Sequence, residues 1–330
     1  MIDLVAAEDP VAAFLAAHHR GHRVALPTSG TTGQPRRIVR TTGSWVSSFD
    51  HLTGRTGLDA RSRLWLPGPL SATMNLFAAV HAAWVGASVA SVSDGATHAQ
   101  LTPTALLRAL DDGVRLHGMG IVVAGDRLDD SLRVRAETTG ARITHYYGAA
   151  ELSFVAWGTC ADDLQVFPDV EVAIRDDEIW VRSPYVSLGY LDEPGLLRTS
   201  DDGFVTVGDH GSFDGVHLRV GGRGFAAVTT GGVTVPVDEV ERTLRTAARG
   251  EVVVLGVPHP TLGQLVAAVL TDADDLPLLR ETARSDLTPA ARPRIWYHLT
   301  PLPETAAGKV DRRAVAARVS SADRGVRRLT

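Results

Sequence analysis

The stretch "ALPTSGTTGQPRR", residues 25–37, decides how the rest of the chain is read. An apolar lead-in ends at Pro27. Four hydroxyl residues, Thr28, Ser29, Thr31 and Thr32, then alternate with Gly30 and Gly33, and Arg36 and Arg37 close the segment. Glycines let a loop turn its backbone N–H groups toward one point, hydroxyls add donors, and arginines add charge, so the composition suits a polyphosphate. The spacing is not G-x-x-x-x-G-K-[ST], because no Lys–Ser/Thr pair follows Gly33. A solvent-exposed Ser/Thr/Gly turn is the competing reading of the same residues.

Around this loop the first 150 residues alternate strand and helix. "RVALPT" reads as a strand entering the loop, "SRLWLPGPL" as a strand ended by a Pro/Gly turn, and "ASVASV" and "MGIVVAG" as short buried parallel strands. "TPTALLRALDDG" begins at a capping threonine and stops at a glycine, as a helix should. Residues 4–18 read as an amphipathic helix. Residues 74–92 read as a buried helix, a turn at Gly86 and a buried strand rather than a membrane span, since Asn75 and His81 interrupt them. From Val166 onward short alternating strands with Gly and Asp turns indicate an antiparallel section. The fold class is therefore α/β: a layered α/β N-terminal domain with an antiparallel section, then a small α+β C-terminal domain. The expected units are 1–222, 223–315, and a frayed basic tail at 316–330. The segment from Arg312 carries six arginines against one aspartate, with no apolar period after Val319.

The 330 residues are 44% hydrophobic and 22% charged, with a net charge of −5 from 33 basic and 38 acidic groups. That balance argues against nucleic acid or an anionic membrane as partner. The single cysteine, Cys160, excludes an internal disulfide and a thiolate metal cluster, and a cytoplasmic setting is expected. The N-terminus has no basic start before an apolar run, so no secretory leader is expected. His18, His19 and His22 lack a nearby acid and read as solvated surface rather than as metal ligands. No G-x-S-x-G elbow and no G-x-G-x-x-G run is present.

Five segments, in order, resemble the motifs of the adenylate-forming superfamily of acyl- and aryl-CoA synthetases and adenylation domains. They are "TSGTTGQPR" at 28–36, "YYGAAE" at 146–151, "VGDHG" at 207–211, "GRGFAAVTTGGVTVPVDEVE" at 222–241 and "LPETAAGKVDRR" at 302–313. The resemblance implies two half-reactions: a carboxylate attacks the α-phosphate of ATP, and a thiol then displaces AMP from the acyl-adenylate. It implies that Thr28, Ser29, Gly30, Thr31, Thr32 and Gly33 hold the outer phosphates and that Glu151 binds Mg²⁺. It further implies that Tyr147 packs near the nucleotide, that Asp209 accepts hydrogen bonds from both ribose hydroxyls, and that Arg223 holds the ribose or phosphate side at an interdomain joint. Lys309 is the implied catalytic ammonium, and Met74, Asn75, Gly125 and Ala149 are implied to line the acid pocket. Gly231 and Gly232 would lie near a thiol channel that opens when the small domain turns.

Composition alone reads several of these residues more plainly: Glu151 as a helix-start acid, Asp209 as a turn aspartate and Lys309 as a solvated lysine. The chain also departs from the family pattern. Arg36 stands for lysine, Ala150 for threonine, and Phe225–Ala226 for an acidic hinge pair; "GPLSATMN" at 68–75 lacks a His or aromatic gate. The loop opens at residue 28, where family members carry a further N-terminal subdomain ahead of it. A truncated first domain is the resulting expectation, with a homodimer or partner covering exposed apolar surface. The acceptor is CoA, the phosphopantetheine of a carrier protein, or an amine, and the sequence does not choose. A nucleotide- or acyl-binding subunit that has lost catalysis is the alternative from another class, and the joint retention of Glu151, Asp209 and Lys309 argues against it.

Overall fold

The computed structural model describes all residues except 5, 28–35, 192–196, 224–226, 306–307 and 322, together with the side chains of 222, 223 and 234. The chain divides into two compact units, Met1–Val220 with Thr305–Lys309, and Gly221–Glu304 with Val310–Thr330.

The first unit is built on a seven-stranded sheet. Ser88–Ala90, Arg63–Trp65, His98–Leu101, Gly120–Val123 and Arg142–Ala149 run parallel in that spatial order, and Ser153–Gly158 and Gln165–Val166 extend them antiparallel. Helices Thr73–Val85, Pro103–Asp111 and Asp130–Glu137 connect the parallel strands. Thr102 caps the second of these helices by accepting a hydrogen bond from the Ala105 N–H, and Pro103 fills its first turn. The two faces of the sheet differ in chemistry. Ala99, Leu101, Ile121, Val123 and Ile143 pack in one apolar cluster with Leu106 and Ala136 of the second and third helices. His98, Gln100, Gly120, Val122 and Tyr146, which alternate with them, line a cavity together with Phe77, Ala78 and His81 of helix Thr73–Val85.

The chain passes from Arg63–Trp65 outward to Ser88–Ala90, then crosses to His98–Leu101 on the other side. The strand order thus reverses between Arg63–Trp65 and His98–Leu101. In open α/β sheets ligands bind outside the carboxyl ends of the strands at such a reversal. A second sheet pairs Ile2–Asp3, Arg23–Pro27, Arg37–Thr41 and Gly189–Tyr190. In its central antiparallel pair Pro27 faces Arg37, so the two ends of the opening stretch lie side by side.

In the second unit Val252–His259 and Gly263–Leu270 form a hairpin at the heart of a mixed sheet. Val252 and Val254 pack on one face with helices Val237–Arg245 and Leu276–Asp286, while Val253 and Val269 pack on the other with Val315 and Val319.

Three expectations need correction. The first helix spans Pro10–His19, not 4–18, because the Asp9 carboxylate accepts from the Val11 and Ala12 N–H groups and starts it there. The strand in "ASVASV" is not buried: among the described residues Ser88–Ala90 is an edge strand paired with Arg63–Trp65, and Val89 is 45% exposed. The tail is not frayed. Helix Arg312–Ser320 buries Val315 and Val319, and Arg327–Leu329 adds an antiparallel edge strand to Ile295–His298. Two valines four residues apart suffice to seat a short helix, a signal that the arginine count obscured.

Candidate active site

Parallel strands deliver their carboxyl ends to one rim, and several of the sequence-selected residues meet there. Gly125 follows strand Gly120–Val123 with φ +94°, a left-handed conformation that favours glycine. A Cβ at this position would lie 3.0 Å from Lys309 Cε, 3.6 Å from Met74 Sδ and 3.6 Å from Thr102 Cγ2. The lysine side chain therefore packs directly on the strand end, beside the start of the helix that carries Met74. The Thr102 hydroxyl donates to the Gly308 carbonyl (3.1 Å), fixing the backbone next to the lysine. Within that turn the Thr305 N–H donates to the Lys309 carbonyl (2.8 Å).

The same rim touches the stem of the opening loop. The Thr73 hydroxyl donates to the Pro27 carbonyl, tying the start of helix Thr73–Val85 to the end of strand Arg23–Pro27. Thr28, Ser29, Gly30, Thr31, Thr32 and Gly33 lie outside the described residues. On the far stem, the Arg36 guanidinium lies 6.0 Å from the centre of the Tyr190 ring. The Tyr190 hydroxyl donates to Glu151 Oε1 (2.6 Å).

Glu151 is 6% exposed and lies in the turn between Arg142–Ala149 and Ser153–Gly158, so no helix starts at it. That turn is tight: a Cβ on Gly148 would come within 2.0 Å of the Ser153 carbonyl oxygen. Arg40, fully buried, braces it by donating to the Ala150 carbonyl (2.7 Å) and the Ser153 hydroxyl (2.7 Å). Burial pushes the Arg40 guanidinium down to about 9, and the negative charge of Glu151 opposes that shift. Tyr147 and Asp209, far apart in sequence, are joined by a hydrogen bond from the Tyr147 hydroxyl to Asp209 Oδ2 (2.7 Å).

Not every selected residue joins the rim. Asn75 is buried, and its amide donates to the Pro69 carbonyl (3.1 Å), holding the Pro/Gly turn ahead of the helix. Ala149 packs on the apolar cluster that contains Phe154 and Phe167. Arg223 ends strand Leu218–Arg223, with its side chain outside the described residues, as are Phe225 and Ala226. His18 shares a hydrogen bond of 3.0 Å with the Thr42 hydroxyl. Among the described residues no group of three or more His, Cys, Asp or Glu is placed to hold a metal.

Sequence comparison settles the family. A model for AMP-binding enzymes matches residues 23–191, just over half of the chain.

The chain belongs to the AMP-binding enzyme family.

Relatives of this adenylate-forming enzyme include the Bacillus subtilis protein named uncharacterized acyl-CoA ligase YhfT, 24% identical over 87% of this chain and 67% of that protein. A Mycobacterium tuberculosis protein named probable 2-succinylbenzoate–CoA ligase is 28% identical over 89% of this chain and 83% of that one. Among solved structures, ATP-bound MatB from Rhodopseudomonas palustris superposes with a TM-score of 0.78 at 23% identity, over 91% of this chain and 68% of that chain. The fold is accordingly that of the adenylate-forming enzymes, and both of these relatives are named as CoA ligases.

Sequence reasoning missed several residues of this AMP-binding enzyme. Thr102 was read only as a helix cap, Tyr190 was given no role, and Arg40 looks like an ordinary strand arginine. Gln100, His81 and His98 line the cavity behind the rim, yet "HAQL" alternates polar and apolar residues as a half-exposed strand does. Among the described residues no helix is long and apolar enough to cross a membrane.

Proposed function

We propose that this protein activates a small carboxylic acid as an acyl-adenylate, releasing pyrophosphate from ATP, and then transfers the acyl group to the thiol of coenzyme A. The observation that carries the reading is the packing of Lys309 on Gly125, beside Met74 and Thr102, at the carboxyl ends of the parallel strands. A carboxylate there would attack the α-phosphorus as the bond to the β-phosphate bridge breaks. Charge builds on the oxygens in flight, and an ammonium held nearby offsets it. The thiolate sulfur would next attack the acyl carbon, and the acyl–phosphate oxygen bond breaks to release AMP.

The remaining residues take roles consistent with their chemistry. Thr28–Gly33, which follow directly on Pro27 at the rim, would wrap the outer phosphates. Asp209, oriented by Tyr147, offers carboxylate oxygens to the ribose diol. Arg223 would serve the ribose or phosphate side. The donor set fits Mg²⁺: one buried carboxylate, Glu151, is enough for a cation that completes its shell with substrate phosphates and water. Bound there, Mg²⁺ would supply neutralising charge to the triphosphate. The names of the relatives support CoA as acceptor.

Exchange of labelled pyrophosphate into ATP, run over a panel of carboxylic acids, tests the first half-reaction. At least one acid should support exchange, and Lys309→Ala should lower it about 100-fold or more with the circular dichroism spectrum unchanged. Undiminished exchange in that variant would refute the role of the lysine.

A further inference from the structure

Behind the rim, the helix face Met74–Phe77–Ala78–His81 lies over the sheet face carrying Gln100, Val122 and Tyr146. Between them is a cavity of about 40 Å³, lined also by Leu52, Thr56, Leu58 and His98. That space holds roughly three waters, which together occupy about 90 Å³ of liquid, room for a short tail of about three heavy atoms. Thr102 and Gln100 point from the same face of one strand, about 6.6 Å apart along it. Met74 and His81 are separated by about 10.5 Å of helix. An acid whose carboxylate meets Lys309 would thus reach Gln100 with its fourth or fifth carbon.

Gln100 stands out in this lining. It is 7% exposed, and its Nε2 is buried without a hydrogen-bond partner. A buried donor left unpaired in an apolar wall is unfavourable, and a ligand acceptor placed opposite it removes that penalty. The two histidines of the lining are occupied. His98 Nδ1 and Nε2 pair with the Thr97 hydroxyl and the Thr56 carbonyl (both 3.0 Å). His81 Nε2 pairs with the Thr53 hydroxyl (2.9 Å), and its ring also bonds the backbone of Phe49. Burial pushes both imidazoles down, His81 to about 4, so neither offers a positive charge. No lysine or arginine lines the cavity among the described residues.

Resting on the adenylation reading above, we propose that the acid is small and monoanionic, and that its neutral tail carries a hydrogen-bond acceptor that pairs with the Gln100 side-chain amide. A second carboxylate finds no counter-charge in this lining, and a long acyl chain finds no room.

Pyrophosphate exchange with hexanoate, 5-oxohexanoate, adipate and tetradecanoate tests this. In the wild type, 5-oxohexanoate should exceed hexanoate in kcat/KM about tenfold or more. Adipate and tetradecanoate should be poorer than hexanoate. Gln100→Leu should reverse the first preference by removing the donor while keeping the volume, and Gln100→Met makes the same change with an unbranched chain. Equal use of hexanoate and 5-oxohexanoate, or better use of adipate or tetradecanoate, overturns the proposal and leaves adenylation standing. If no acid supports exchange, calorimetric titration of 5-oxohexanoate into the wild type and Gln100→Leu separates the two ideas. Binding to the wild type alone keeps the pocket assignment while adenylation falls, and binding to neither overturns both.

Discussion

Replacing Gly125 by alanine probes the rim with a single methyl group. The new Cβ would stand 3.0 Å from Lys309 Cε, closer than carbon atoms pack, and 3.6 Å from both Met74 Sδ and Thr102 Cγ2. Two effects separate by size. The left-handed backbone, φ +94°, charges any L-side chain about 1–2 kcal/mol, which lowers the melting temperature of a unit this large by about 2–8 °C. The clash falls on the flexible end of Lys309, which yields readily, so it adds little to instability. It does move the ammonium by some tenths of an ångström or more. Misplacement of a catalytic group by about 1 Å lowers rate by about 100-fold, so a loss between about 10- and 100-fold in pyrophosphate exchange is expected. The assay is a double-mutant cycle read by exchange, with Lys309→Ala as the second change. If the methyl acts through the lysine, Gly125→Ala adds almost nothing to Lys309→Ala. Full additivity of the two losses, or a Gly125→Ala enzyme as active as the wild type, would refute the placement of the lysine on this strand end.

Two further outcomes concern stability. In the second unit Glu241 is 1% exposed and accepts two hydrogen bonds from Arg312 (2.6 and 2.5 Å), one from Arg245 (2.9 Å) and one from the Val254 N–H (2.7 Å). Glu241→Ala strands these donors and should destabilise that unit by about 3 kcal/mol or more, read as loss of hydrogen-exchange protection in Val252–His259; protection equal to the wild type would refute it. His81 and His145 are both held neutral by burial, each pushed from 6.5 to about 4. The unfolded chain takes up their protons below about pH 6.5 and the folded chain only near pH 4. Their contribution is therefore fully present above about pH 6.5 and falls away by about 3 kcal/mol per histidine as pH drops toward 4. Urea midpoints at pH 7 and pH 5 measure this, and His81→Gln should flatten the slope; a midpoint unchanged between those pH values would overturn it.

How much of this was legible beforehand differs residue by residue. Strands Arg63–Trp65 and Gly120–Val123 and the helix capped by Thr102 were readable because each is a local pattern: a short apolar run or a cap. The edge position of Ser88–Ala90 was not, since exposure of a strand depends on what pairs beyond it. The ordered end of the chain was not, since its burial depends on a sheet completed by residues far earlier. Glu241 and Arg312 each stood in a recognisable motif, but nothing local indicates that they grip one another across 71 positions. Gln100 and His98 were hidden for a related reason. Polar residues alternating in a strand usually face water, and here the face they share is roofed by a helix.

The order of motifs along the chain, with the hydroxyl-rich loop early and Gly308–Lys309 late, was sufficient by itself to name the family and its chemistry, because that pattern is carried by residue types at fixed spacing. Which side chains share a volume was decided only by the tertiary structure. Strand order brings Met74, Thr102 and Gly125 to one rim and puts Lys309 against them, and the roofing helix leaves Gln100 dry. Contacts between residues remote in sequence follow from how strands and helices stack, and no local propensity encodes that.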